Sequence, residues 1–207
     1  MKENKKALLE CISNHLIINS SFLEKLGLYH GKMGIVLFFV HYARFTDNPI
    51  YEEVAGDLLD EIMEDIHDGI ALDFENGLAG IGWGILYLIK NKFMNGNPDE
   101  VLADVDKKLM ELNLLRLSDT SLDRGLAGIS VYLSARLSFE NTSASTIFDA
   151  EYLSDWQKAI SGKGIPTEFD LYSIIDQEPV TTIEELKDKP LGLQDGFAGC
   201  GFKLMKV

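Results

Sequence analysis

The chain has 207 residues, 46% hydrophobic and 25% charged, with a formal net charge of −14 and a pI near 4.6. That composition suits one globular domain with a sizeable core, and the acidity argues against nucleic acid, whose binding rests on Lys and Arg displacing counterions. Cys11 and Cys200, far apart and without CxxC spacing, argue against a disulfide framework or a self-contained zinc site.

The charged start Met1 to Lys6 leads into Ala7 to Phe22, which Glu10, Asn14, His15 and Asn19 interrupt, so no signal-peptide core follows. No run approaches the roughly 20 apolar residues that span a bilayer. The expected setting is cytoplasmic, with no membrane contact. From Lys5 to Ser20 the positions Leu8, Leu9, Ile12, Leu16 and Ile17 keep a helical period, which predicts an outer helix. An inner helix is predicted from about Lys32 to Arg44, stopping before the turn signal Asp47-Asn48-Pro49. Ile50 to Asp68 is amphipathic and predicts the second outer helix: Val54, Ala55, Leu58, Leu59, Ile62, Met63 and Ile66 form one face and a row of carboxylates the other. Eleven Asp or Glu and no Lys or Arg lie between Phe45 and Ile89; such a face is either simply solvated or attractive to a basic partner.

A second inner helix follows. Asn95-Gly96-Asn97-Pro98 then marks a turn, with Pro98 suited to the first helical position, and an outer helix is predicted onward to about Arg116. A third inner helix ends near Ser138. The regularity then fails. Residues 139–190 read as an irregular insertion, with loops at Asn141 to Ser145 and Gly162 to Pro166 and a helix around Phe148 to Ile160. A segment at Glu168 to Ile175 is either extended or a helical turn, and the capping-box pattern Thr182-x-x-Glu185 predicts a short helix from Ile183 to Asp188. One domain spanning 1–207 is the expected organisation.

Four related phrases organise this succession: Gly31-Lys32-Met33-Gly34, Gly77-Leu78-Ala79-Gly80, Gly125-Leu126-Ala127-Gly128 and Gly196-Phe197-Ala198-Gly199. Each opens an apolar helical run, the mark of a stacked helical repeat. Gly costs roughly 1 kcal/mol against Ala inside a helix, so eight matched glycines imply a benefit. Two are open: close packing of neighbouring helices, or access of a ligand to the free N–H groups of a helix start. Polar residues precede each pair: Tyr29-His30, Glu75-Asn76, Asp123-Arg124 and Gln194-Asp195.

With Leu28-Tyr29-His30-Gly31, Glu75-Asn76-Gly77-Leu78, Ser121-Leu122-Asp123-Arg124-Gly125 and Gly192-Leu193-Gln194-Asp195-Gly196 before the apolar runs, the chain resembles the lanthionine synthetase C-like family. The resemblance implies an all-α fold, an α/α toroid-like array of helical hairpins, here an incomplete or short α/α barrel. It also implies relation to cyclases that add a peptide Cys thiol to a dehydrated Ser or Thr, using zinc held by two Cys and one His. The zinc lowers the thiol's pKa. In this sequence the Cys positions hold Tyr29, Glu75, Asp123 and Gln194, and only His30 matches a ligand, so no cofactor is expected and His30 is the single weak metal candidate. The expectation is an accessory, peptide-binding protein without zinc-dependent cyclase activity, its groove formed by Tyr29, His30, Asn76, Trp83, Arg124 and Gln194. The partner would be a peptide or a modification enzyme.

Two other readings stand beside it. A glycosidase-like α/α-barrel hydrolase would use Glu75, Asp123 and Asp195 as its acid and base, although carboxylates at these places also serve as helix caps. A purely structural scaffold would use none of them. Trp83, Tyr87 and Tyr132 line a groove or fill the core. Four hairpins are few for a ring, so exposed inner-helix faces predict a homodimer, with the insertion from Phe139 to Lys189 as the rival seal.

Overall fold

A computed structural model describes residues 2–139, 147–175 and 178–206. The fold is all-α: no strand occurs among the described residues, and the helices alternate as the periodicity predicted. The expected loop at Asn141 to Ser145 lies outside the described residues. Two compact units emerge, unit 1 from Met1–Asp68 with Asp170–Val207 and unit 2 from Gly69–Phe169.

Unit 1 contains α1 (Lys2–Asn19), α2 (Lys32–Thr46), α3 (Ile50–Asp65) and, at the end of the chain, α9 (Phe197–Met205). The apolar row Leu8, Leu9, Ile12 and Leu16 of α1 is buried, whereas Ile17 stays half exposed. Helix α2 is buried almost all round and ends where Asp47 takes a left-handed conformation (φ 53°), which Asp tolerates. Helix α3 packs on α2 through Ala55, Leu58 and Ile62. It stops at Asp65, short of the predicted Asp68; its last turn holds Glu64 and Asp65, which are unfavourable at the negative helix end, and no basic residue of its own. Helix α9 lies against both α1 and α2.

Unit 2 contains α4 (Leu78–Lys90), α5 (Pro98–Val101), α6 (Ala103–Met110), α7 (Leu126–Leu137) and α8 (Ala150–Ile160). Pro98 opens α5 as predicted, with the Asn97 side chain accepting from Asp99 N at 3.1 Å. The predicted single helix to Arg116 is in fact broken twice. Leu102 leaves helical geometry (φ −103°, ψ 5°) to bury its side chain completely, and beyond Met110 only a 3-10 turn at Leu114–Arg116 remains. The insertion's predicted helix is α8, tied down by Tyr152 Oη donating to Leu109 O (2.8 Å) and Trp156 Nε1 donating to Ser130 Oγ (3.0 Å). The undecided segment is a 3-10 turn, Leu171–Ile174, capped by Asp170. The predicted Ile183–Asp188 helix shrinks to Glu184–Leu186, where Glu185 accepts from Thr181 N at 3.0 Å and from both Thr181 and Thr182 hydroxyls.

The same backbone plan recurs inside the two units. In unit 1, Tyr29 O accepts from Leu193 N (2.8 Å) and Gln194 N (3.1 Å), joining the first glycine loop to the last. In unit 2, Asp123 O accepts from Phe74 N (3.0 Å) and Glu75 N (2.9 Å), joining the second to the third. The glycines explain why helices come so close. A Cβ on Gly34 would sit 2.4 Å from Leu28 O and 2.8 Å from Leu193; one on Gly128 would sit 2.2 Å from Leu122 O and 2.4 Å from Phe74. Likewise a Cβ on Gly201 would enter the Phe38 ring and one on Gly82 the Tyr132 ring, at 2.2 and 2.5 Å. First and last inner helices therefore pack against one another within unit 1.

Candidate functional site

Each inner helix begins at a glycine with extended backbone, φ between −118° and −109°, and the loop before it folds back over the helix start. Lys32 N donates to Lys25 O, Leu78 N to Ala71 O, Leu126 N to Asp119 O and Phe197 N to Pro190 O, all within 2.8 to 2.9 Å. Met33 and Ala198 N–H groups find Leu26 and Leu191 carbonyls in the same way. The free amides that a ligand would need are thus occupied by the loops' own carbonyls. Of the two benefits offered for the glycines, close packing is the one realised.

The side chains of the loops differ from unit to unit. In unit 2, Glu75 is only 9% exposed and its Oε2 accepts from Arg124 Nε at 2.9 Å, while the Arg124 side chain stays 71% exposed. The bond to Glu75 holds the guanidinium proton more firmly than usual. Asp123 is exposed and serves the fold through its carbonyl. Asn76 N donates to Asp73 Oδ1 at 2.8 Å, and Asn76 Oδ1 is buried with no hydrogen-bond partner among the described residues. Ser121 repeats the role of Asp73 one loop later, its Oγ accepting from Arg124 N at 3.3 Å, and the Asp119 carboxylate accepts from Ser121 N at 2.8 Å, a bond that pulls its pKa down.

In unit 1 the counterparts of Glu75 and Arg124 are Gln194 and His30. Gln194 is half buried; His30, partly exposed, meets the Tyr29 ring edge-on at 6.3 Å between centroids. Tyr29 itself is 1% exposed. Asp195 is exposed in a left-handed conformation (φ 55°), its carbonyl accepting from Lys189 Nζ at 3.4 Å. Trp83, in unit 2, is 8% exposed and packs edge-on against Phe74 and Phe169, with Tyr87 tilted at 5.3 Å. Tyr29 and Trp83 are thereby core residues. Among the expected groove residues, His30, Asn76, Arg124 and Gln194 keep surface.

The hydrolase reading gains nothing from this geometry. A carboxylate whose Oε2 is already taken up by a guanidinium at 2.9 Å is poorly placed to serve a substrate as general acid or base. The donors at the loop positions do not fit the zinc of the resemblance either. The Tyr29 side chain is buried and Glu75 is bonded to Arg124, and no group of three or more His, Cys, Asp or Glu residues is placed to hold a metal among the described residues. Cys200 is buried in α9, where burial pushes its thiol up, away from the thiolate that binds metals.

Two charged arrangements escaped sequence reading. Lys32, with its side chain 5% exposed, reaches Glu61 at 2.6 Å and Asp65 at 3.8 Å and holds the Glu61 carboxyl below its ordinary range. Part of the acidic face of α3 thus serves the chain's own lysine. In unit 2, Asp106 accepts from Tyr132 Oη (2.5 Å) and Arg136 Nε (3.0 Å), and Asp99 accepts from Arg136 Nη2 (2.8 Å). Burial pushes the Asp106 carboxyl up against the pull of these donors. The available signal was charge at helical spacing: Asp99 and Asp106 recur on one face, and Arg136 stands one turn beyond Tyr132.

No helix among the described residues is long and apolar enough to cross a membrane. A family model described as lanthionine synthetase C-like protein matches residues 23–207. Searches of curated proteins and of solved structures returned no match.

Proposed function

The chain belongs to the lanthionine synthetase C-like family, and from that premise we propose that it binds a peptide in ribosomal peptide modification and carries out no zinc-dependent cyclisation of its own. The observation that carries this reading is the Glu75–Arg124 ion pair. A thiolate-rich metal site needs soft donors at these loops; here one loop presents a carboxylate already bonded to a guanidinium. The exposed Arg124 offers hydrogen bonds to peptide carbonyls, and the half-open Asn76 of the same unit offers a neutral donor and acceptor. Cytoplasmic residence fits the reduced cysteines.

The experiment is calorimetric titration of the full chain with a leader-core peptide carrying dehydrated Ser and Thr and free Cys, with and without zinc, followed by thiol counting. Saturable binding with all thiols retained is expected. Replacing Arg124 by Ala should weaken it about 10-fold, the scale of one charge-assisted hydrogen bond. Loss of thiols on adding zinc would make the protein a cyclase, and absence of binding would leave the scaffold reading.

A further inference from the structure

At the end of α7 remote from the Gly125 loop, the buried charge network has a donor left over. Arg136 is 1% exposed. Its Nε and Nη2 are spent on Asp106 and Asp99, but its buried Nη1 has no hydrogen-bond partner among the described residues. A guanidinium N–H taken out of water and left unpaired is costly, and structures that keep such a group have a use for it.

Arg136 also lines a cleft of about 310 Å³, together with Asp99, Ala103, Asp106, Met110 and Ile147. That is the small end of the roughly 300 to 1,000 Å³ range of ligand pockets. The lining selects by charge. Two carboxylates repel an anion, and the guanidinium repels a cation. Asp99, whose side chain is 46% exposed, uses only Oδ1 in its bond to Arg136. Arg136, with its unpartnered Nη1, and the half-open Asp99 carboxylate thus line one cleft, with Ala103, Met110 and Ile147 as its apolar wall.

We propose that this cleft is a binding site for a neutral peptide amide, its carbonyl on Arg136 Nη1, its N–H on the second oxygen of Asp99, and the neighbouring apolar side chain against Ala103, Met110 and Ile147. The site is separate from the glycine loops of the preceding section, so either can fail without the other.

The test uses the full chain labelled with ¹⁵N, titrated with N-acetyl-L-leucine methylamide and observed at the Arg136 Nε–H signal and the backbone amides of Asp99 and Ala103. Saturable shifts are expected, with an affinity about 10-fold or more above that of N-acetyl-L-leucine, the matching anion, or L-leucine amide, the matching cation. Ala103→Phe fills the cleft from an exposed helical position and should abolish the shifts. Asp99→Ala should weaken binding about 10-fold. No saturable shift with the methylamide, equal or tighter binding of the anion, or undiminished binding by Ala103→Phe would each overturn the proposal.

Discussion

In unit 1 the first inner helix sends Phe38 against Gly201 and stacks Tyr42 on Phe38 (5.4 Å) and against Tyr51 (4.6 Å). In unit 2 the same places on α7 hold Tyr132, against Gly82, and Arg136, which turns to Asp106 and Asp99. One backbone frame thus accepts an aromatic filling in one unit and a buried ionic filling in the other. The frame is held by carbonyl-to-amide pairs and missing Cβ atoms, which are indifferent to what lies one turn deeper. The filling is where the units can acquire different chemistry.

The hardest blow to this contrast falls on the ionic filling. Arg136→Ala should cost about 3–5 kcal/mol, because it strands Asp106 in the interior. The double change Asp106→Leu with Arg136→Met, which makes unit 2 resemble unit 1, should return stability to within about 1 kcal/mol of the parent. Urea unfolding followed by tryptophan fluorescence reads unit 2 directly, since both Trp83 and Trp156 lie there. If the double variant is no more stable than the single one, the ionic filling is integral to the frame.

Equivalence of the frames is tested next. Gly34→Ala and Gly128→Ala each drive a methyl into a backbone carbonyl, and each should cost about 3 kcal/mol. Circular dichroism melting that shows one tolerated and the other not would end the parallel.

A comparable effect separates the units by pH. His41 stands in α2 against Phe202 (5.0 Å), and burial, with the charge of Arg44 adding, lowers its pKa to about 4; Ala135 takes the corresponding place in unit 2. The unfolded chain takes up this proton first, so the contribution is whole above about pH 6.5 and is lost as pH falls towards 4. It should amount to about 3 kcal/mol. Urea midpoints measured across that window should fall less steeply in His41→Gln; an unchanged slope would remove His41 from the account. Smallest of all, Arg124→Gln should leave the urea midpoint nearly unchanged, because its half of the pair with Glu75 is open to solvent. A clear fall would give that loop a structural role beyond the one it has in unit 1.

Much of this was legible beforehand because it is written locally. Four glycine phrases at hairpin spacing located every inner helix, and Asp47-Asn48-Pro49 and Pro98 marked real boundaries. What periodicity cannot state is which loop binds which: the pairing of Tyr29 with Leu193 and of Asp123 with Phe74 is a fact of three dimensions. The break at Leu102 was invisible because leucine carries no breaking signal, and burial of its side chain overrode a helical pattern. At the candidate site, sequence placed Glu75 and Arg124 in neighbouring phrases without showing that they meet. Arg136 escaped because a basic residue near a helix end is ordinarily a surface feature, and here it is enclosed.

The bond between residues 29 and 193 also sets an order of events during synthesis. Unit 2 is one continuous stretch and can close as soon as it leaves the ribosome. Unit 1 cannot: α1 to α3 emerge before unit 2, and α9, whose Gly201 packs on Phe38, emerges after it. At about 5–20 residues per second the intervening stretch of about 130 residues delays it by roughly 7–26 seconds. Through that interval the flanks of α1 and α2 that α9 will cover stay open, which makes the early chain a natural client for a chaperone.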